Sequence, residues 1–430
     1  MKPTTRITAL IFFGALLCAD PLLGQPINAS AELNRLLSLD ESARKAGDSI
    51  GRLKIALQYR DLLHDGGNGV LATAHAYAVV RDSAKAFEAL DYYASLGLSG
   101  KQLCSGEDKK FSWLAGSPRF LAICQRIQEN ERPLRHSDSA VVFPESGYLP
   151  EDIDYDKQGR SFLFTSILQH AVFRLALDGH CRLFASSPSG WPMMAIKVDN
   201  RRGLVWVTEV AIPGFGGLVD SIKGQSAVCC FDARTGTLKE RLPAPEGSQW
   251  GDMVLDLQGD PIVSDGQSGA IFRRKKGNWE RIDKGDFISP QTPALSEDGK
   301  HLIVPDHVRG LAVMDIENGD VVWIRQSPEH PCAFNGVDGV YLINNRLLLT
   351  QNGVYPERVL EIRLDKDRMH PTGSLVIERA TPGLGEPTHG VVVDGFFYYI
   401  ANSGWNAVDE HGGIKQGAQM SQPVLMRYEL

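Results

Sequence analysis

Pro150-Glu-Asp-Ile-Asp-Tyr-Asp-Lys-Gln-Gly159, running on into Phe162-Leu-Phe-Thr165, reads as a polar opening, a short strand, a tight turn and a second strand. Alternating apolar positions between Asp and Gly turn residues carry that reading. Close variants recur down the chain. Ala195-Ile-Lys-Val-Asp199 precedes Leu204-Val-Trp-Val-Thr208, and Asp252-Met-Val-Leu-Asp256 precedes Pro261-Ile-Val-Ser-Asp265. Pro293-Ala-Leu-Ser296 precedes His301-Leu-Ile-Val304, Asp338-Gly-Val-Tyr-Leu342 precedes Leu347-Leu-Leu-Thr350, and Gly390-Val-Val-Val393 precedes Phe397-Tyr-Tyr-Ile400. Most copies continue into a third strand, as in Ala171-Val-Phe-Arg174 or Arg358-Val-Leu-Glu361. A fourth follows where sequence remains, as in Val321-Val-Trp-Ile324.

A repeat of about 40 to 55 residues with four short strands has the form of a propeller blade. Six copies predict a mainly β fold, a six-bladed β-propeller over residues 139–430. The sixth copy stops after its third strand, at Leu430. Ala140-Val-Val-Phe143, just before the first blade, is placed to supply the missing fourth. Closure of the ring by its two ends removes an exposed sheet edge.

Upstream, residues 31–130 keep helical spacing and predict a small all-α domain. Ala74, Tyr77 and Ala78 share one helix, Arg81-Asp82 makes a short turn, and Ala84, Phe87, Ala89 and Leu90 share the next. Small residues where two helices cross resemble a tetratricopeptide-type hairpin. Such a region packs on the downstream blades or docks a protein partner. Pro133 and Ser137-Asp-Ser139 mark the boundary.

Lys2 and Arg6 precede an apolar run over residues 7–19, with small residues around Ala19 and Gly24. That order predicts a secretory signal over residues 1–24 and an exported protein, periplasmic or extracellular. Cys18 follows the bulky Leu17, which argues against a lipoprotein signal. No later stretch reads as a membrane span. The formal net charge of −7 and the lack of a dense basic tract give no hint of a nucleic-acid partner. Of seven cysteines, Cys104 and Cys124 are the pair best placed to bridge, with buried free thiols as the alternative.

In a propeller the innermost strands line a central channel, and the residues just before them stand at its mouth. Here those positions hold Glu151 and Asp152, Trp191 and Met194, Trp250 and Asp252, Gln291 and Thr292, Asn335 and Asp338, and Thr388 and His389. Carboxylate and amide oxygens around a funnel suit a hard divalent cation such as Ca²⁺, with Zn²⁺ and Mn²⁺ as alternatives. Aromatic walls with a few polar groups suit a small-molecule substrate. Trp191 and Trp250 are candidate walls, with core packing the competing role. Asp252, Asn335 and His389 are candidate substrate contacts, and His389 is read first as a hydrogen-bonding residue of the rim. The Gly214-Phe-Gly-Gly217 insertion and the Gly-rich stretch over residues 405–422 are expected to cover the same face.

The order of Pro150-Glu151, Gly251-Asp252, Leu295-Ser-Glu-Asp-Gly-Lys300, Asp338-Gly339, Gln351-Asn-Gly353 and Pro387-Thr-His-Gly390 resembles the SMP-30/gluconolactonase family of six-bladed, calcium-dependent lactonases, which includes the luciferin-regenerating enzymes. The resemblance covers residues 150–430. It implies Glu151 and Asp338 as metal ligands, Asp338 also as general base, and Gln291 where the family carries a metal-binding asparagine. It implies Asp252 as a substrate contact, with Gly251 where the family has a further amide. The activity so implied is hydrolysis of a lactone or related ester. The competing reading is a non-catalytic propeller of the NHL type, which binds a ligand or serves as a scaffold.

Overall fold

Asp156 shows how the inner hairpin closes in the first three blades. Its Oδ1 accepts the N–H groups of Gln158 and Gly159, both at 3.0 Å. Asp199 does the same for Arg201 and Arg202, and Asp256 for Gln258 and Asp260. An aspartate that turns the chain in this way fixes hairpin position without tertiary help.

The structure is a computed structural model and describes residues 28–215, 220–409 and 411–430. The expected signal over residues 1–24 lies outside the described residues, as do Gly216 and Gly217. Six four-stranded antiparallel units form a closed ring. Their inner strands are Pro150–Asp156, Met193–Asp199, Trp250–Leu255, Ala294–Leu295, Val337–Ile343 and Gly390–Val393. The apolar clusters lie between neighbouring blades. Leu163 and Val172 of the first blade, for example, pack on Ile196 and Val207 of the second.

The ring closes as the repeat arithmetic predicts. Asp138–Val142 pairs with Val424–Glu429 as the outer strand of the sixth blade. Unforeseen is a fifth strand in blade five, where Leu134–Arg135 pairs with Pro371–Arg379. Its cause is the fully buried Glu378, which accepts from Arg135, Ser137, Thr381 and Tyr399. The connecting segment thus covers the edges of two blades.

At the mouth end of four inner strands the pairing register slips: between Pro150 and Ile153, Met193 and Ile196, Trp250 and Asp252, and Val337 and Gly339. A second-strand hydroxyl takes up the freed inner-strand N–H in three of them. Thr165 accepts from Asp152, Thr208 from Ala195 and Thr350 from Gly339. Thr165 also donates to the carbonyl of Met194, Thr208 to that of Gly251, and Ser264 to that of Gln291. Each of these bonds crosses to the next blade.

The helices run Ala29–Ala46, Ser49–Leu62, Gly67–Val79, Ser83–Ser95, Lys101–Cys104 and Pro118–Asn130. Asn28, Asp48, Asp82 and Ser117 cap four of them through side-chain oxygens. Ala74, Ala78, Ala86 and Ala89 are buried where the third and fourth helices meet. Cys104 and Cys124 are bridged. The helices rest on loops at the mouth end of blades four and five. His64 stacks on Trp323 with ring centroids 4.3 Å apart, and Ala29 N–H donates to the carbonyl of Gly285 at 2.9 Å.

Thr165→Val tests the blade-crossing hydroxyls. It keeps the shape but orphans the buried N–H of Asp152 and the carbonyl of Met194. A loss of about 1–3 kcal/mol is expected, read as a lower urea midpoint at unchanged slope. A midpoint equal to that of the parent contradicts this account of the blade junction.

Candidate functional site

The register slip decides which side chains enter the mouth. Glu151, Asp252 and Asp338 emerge at or beside the slipped pairs of blades one, three and five. Thr292 binds the neighbouring inner strand through two backbone bonds, accepting from Val340 and donating to the carbonyl of Asp338. His389 ends the loop that leads into Gly390–Val393. A Glu151 carboxylate oxygen, an Asp338 carboxylate oxygen and a ring nitrogen of His389 lie within 4.8 Å of one another.

The contacts of His389 fix its charge. Its Nδ1 lies 2.9 Å from the backbone carbonyl of Glu151. A carbonyl only accepts, so Nδ1 carries a proton. Its Nε2 lies 2.9 Å from Thr292 Oγ1 and 3.2 Å from Asp252 Oδ1. The Thr292 hydroxyl proton is already given to Asp252 Oδ1 at 2.5 Å. Nε2 therefore donates as well, and the ring is an imidazolium. Burial opposes that charge, but the carboxylates of Asp152, Asp252 and Asp338 outweigh it and push the ring up to about 10.

The two other groups are strained in the opposite sense. Burial and the nearby Asp338 push Glu151 up to about 8, against the pull of His389 and the Trp405 indole. Burial, with Asp252 adding to it, also raises Asp338, while His389 opposes. Trp405 Nε1 donates to Glu151 Oε2 at 2.6 Å, and Asn352 Nδ2 donates to Asp338 Oδ2 at 2.9 Å. Among the described residues, Glu151 Oε1 and Asp338 Oδ1 receive no hydrogen bond. Asp152 is paired with Lys197 at 2.5 Å deeper in the channel. Glu151, Asp152, Asp252 and Asp338 thus face two cationic side chains, His389 and Lys197. Oxygen donors with excess negative charge in a buried mouth fit a hard divalent cation.

The remaining sequence candidates face elsewhere. Gln291, expected as a third metal ligand, donates its amide to Ser289 through the carbonyl at 3.2 Å and the hydroxyl at 3.1 Å. It lies against Gly266 of blade three, and His389 is the third group of the cluster. Trp250 is a core residue: its ring packs on Phe272 and Trp279 between blades two and three. Trp191 is capped by the guanidinium of Arg241, which comes from the outer strand of its blade. Asn335 points away from the channel and accepts the N–H of Gly67 at 3.1 Å. His389 is a buried central residue, where the sequence placed it on the rim.

Trp405, Asn352 and Thr292 complete the site. Trp405 lies in an insertion singled out by composition, but its reach to Glu151 had no sequence signal. The two insertions meet over blades six, one and two. Phe215 and Trp405 have ring centroids 5.9 Å apart, and a Cβ on Gly214 would lie 2.6 Å from His411 Cα. Elsewhere, Gly47-Asp-Ser-Ile-Gly51 has the residue spacing of a nucleophile elbow, yet Ser49 follows a helix and starts another. The strand-to-helix turn which that chemistry needs is missing there.

No protein-family model matches the chain, and no curated protein sequence matches it. Among solved structures, the PQQ-bound aldose sugar dehydrogenase of Streptomyces coelicolor is 11% identical, with TM-score 0.48, covering 69% of this chain and 99% of that one. A luciferin-regenerating enzyme is 10% identical, with TM-score 0.46, covering 69% and 95%. A virginiamycin B lyase from Staphylococcus aureus with quinupristin is 14% identical, with TM-score 0.44, covering 70% and 99%. At these values the likeness carries no argument about the chemistry of this chain.

The His389 ring is expected to stay protonated well above pH 8, with a midpoint about 10, in nitrogen-15 NMR of labelled histidine. The folded value lies above the unfolded value of about 6.5. The charge therefore stabilises fully below about pH 6.5, and that stabilisation is lost as pH rises towards 10. The stability gap between parent and His389→Gln should narrow over that window. A ring neutral at pH 7.5 contradicts the assignment.

Proposed function

We propose that the protein is an exported, divalent-cation-dependent hydrolase acting on a lactone or related ester at the propeller mouth, in the manner of the SMP-30/gluconolactonase family. One observation carries the reading. Two carboxylates, the half-buried Glu151 and the buried Asp338, each have one oxygen bound by the protein and, among the described residues, one free of protein donors, beside a fixed imidazolium. The Cys104–Cys124 bridge supports export, since such bonds persist in oxidising compartments.

Glu151 and Asp338 would hold the cation through Oε1 and Oδ1. Held there, a divalent ion would supply polarisation of a carbonyl and acidification of water. Asp338, oriented by Asn352, collects the proton of the attacking water. Both N–H groups of His389 are spent on Glu151, Thr292 and Asp252, so the ring serves as a fixed positive charge facing the developing oxyanion. Trp405, packed against Phe215, stands over the site and holds Glu151 through its indole N–H. Ca²⁺ is the favoured ion because the free donors are carboxylate oxygens and both ring nitrogens of His389 are occupied.

Ca²⁺ added to chelator-treated protein is expected to stabilise it by about 2.7 kcal/mol at a hundredfold excess over Kd. Glu151→Gln and Asp338→Asn should abolish that shift. Against a panel of lactones and aryl esters, Asp338→Asn should lower the Ca²⁺-dependent rate by about 10²-fold or more. A parent protein that neither gains stability with Ca²⁺, Mn²⁺ or Zn²⁺ nor turns over any panel member overturns the proposal.

A further inference from the structure

The third and fourth helices are docked through their ends. Gly67–Val79 begins after Gly66, which has no side chain to cap it. Asn335 of the propeller supplies that cap through Oδ1, at 3.1 Å from Gly67 N. Ser83–Ser95 runs out at Leu96 and Gly97, where φ is +75°. Arg358 Nη1 donates to the carbonyls of both, at 3.1 Å and 3.0 Å. Arg358 is only 2% exposed, and no carboxylate pairs with it among the described residues. The negative end of the helix takes that role. A Cβ at Gly97 would lie 2.5 Å from Nη1, so the approach requires glycine.

Both anchors converge on Gln351. Its Nε2 donates to the carbonyls of Ala333, at 2.9 Å, and Asn335, at 2.5 Å. Its Oε1 accepts from Arg358 Nε at 2.6 Å. In the sheet Gln351 stands between Arg358 and Val337, the residue before Asp338. The residue after it, Asn352, donates to Asp338 Oδ2. One fully buried amide therefore links the start of one helix, the end of the next and the backbone that leads into the candidate metal carboxylate.

We propose that Asn335, Gln351 and Arg358 are positioning residues, through which the docked helix pair sets the orientation of Asp338 for cation binding. The inference rests on Asp338 as a cation ligand. It makes the helical region a structural part of the site, with the ends of its central helices committed to the propeller and not to an outside partner.

The test compares three single variants of the full chain by calorimetric Ca²⁺ titration. Asn335→Ala and Arg358→Gln cut the linked anchors; His64→Ala cuts a helix–propeller contact that does not pass through Gln351. Both linked variants should bind Ca²⁺ about tenfold more weakly, as supporting residues around metal ligands do. His64→Ala should lower the melting temperature and leave the affinity within about twofold. Equal affinity in parent and linked variants, or equal weakening in all three, overturns the proposal. Should Arg358→Gln fail to fold, Asn335→Ala alone decides. Should the parent bind no Ca²⁺, the metal reading fails by itself, and the positioning role is read from the His389 ring chemical shifts. These should move in Asn335→Ala and hold in His64→Ala; shifts unchanged in Asn335→Ala overturn it.

Discussion

A hydroxyl near the end of the second strand does two things that the rest of the molecule depends on. Thr165 fills the gap left by a register slip in its own inner strand and reaches across to the next blade's carbonyl. Thr208 repeats the arrangement, and Ser264 makes the crossing bond. Without that partner the slip would leave a buried N–H unsatisfied. With it, the first residues of the inner strand are free to turn into the channel. In blade one, where Thr165 does both, the device that joins the blades also frees Glu151 to enter the channel.

Carboxylates gathered at the mouth create an imbalance of charge. Glu151, Asp152, Asp252 and Asp338 approach one another, and among the described residues the cationic side chains paired with them are His389 and Lys197. Burial sharpens the imbalance, since a low-dielectric surround penalises each unpaired carboxylate. Asp252 and Asp152 settle on the two cationic side chains. Among the described residues, Glu151 and Asp338 keep one oxygen each without a donor. Phe215 and Trp405, and the helices on blades four and five, lie on the same face from different directions.

The blades and their closure were legible because propeller repeats advertise themselves locally, through alternation and Asp-Gly turns. Every inner strand named from sequence overlaps the one observed. The site was less legible, and the reason is the register slip. Trp250 and Asp252 are two residues apart, yet one packs between blades and the other enters the channel; plain alternation would put them on one face. Gln291 and Thr292 exchange roles across a single position. Asn335, three residues before Asp338, turns outwards because a helix distant in sequence needs its cap. Trp405 reaches Glu151 across 254 positions, a contact that no local pattern encodes. Glu151, Asp252, Asp338 and His389 were named because each stands at or just before the start of an inner strand, where the channel opens.

The proposed chemistry depends on a cation held between Glu151 and Asp338. Anomalous diffraction from crystals of the intact protein soaked in Mn²⁺ tests it most directly, since the ion's position is observed independently of any assay. One anomalous peak per chain is predicted, at about 2.0–2.6 Å from a carboxylate oxygen of each residue. A mouth without a peak, or a peak seated on other side chains, would contradict it.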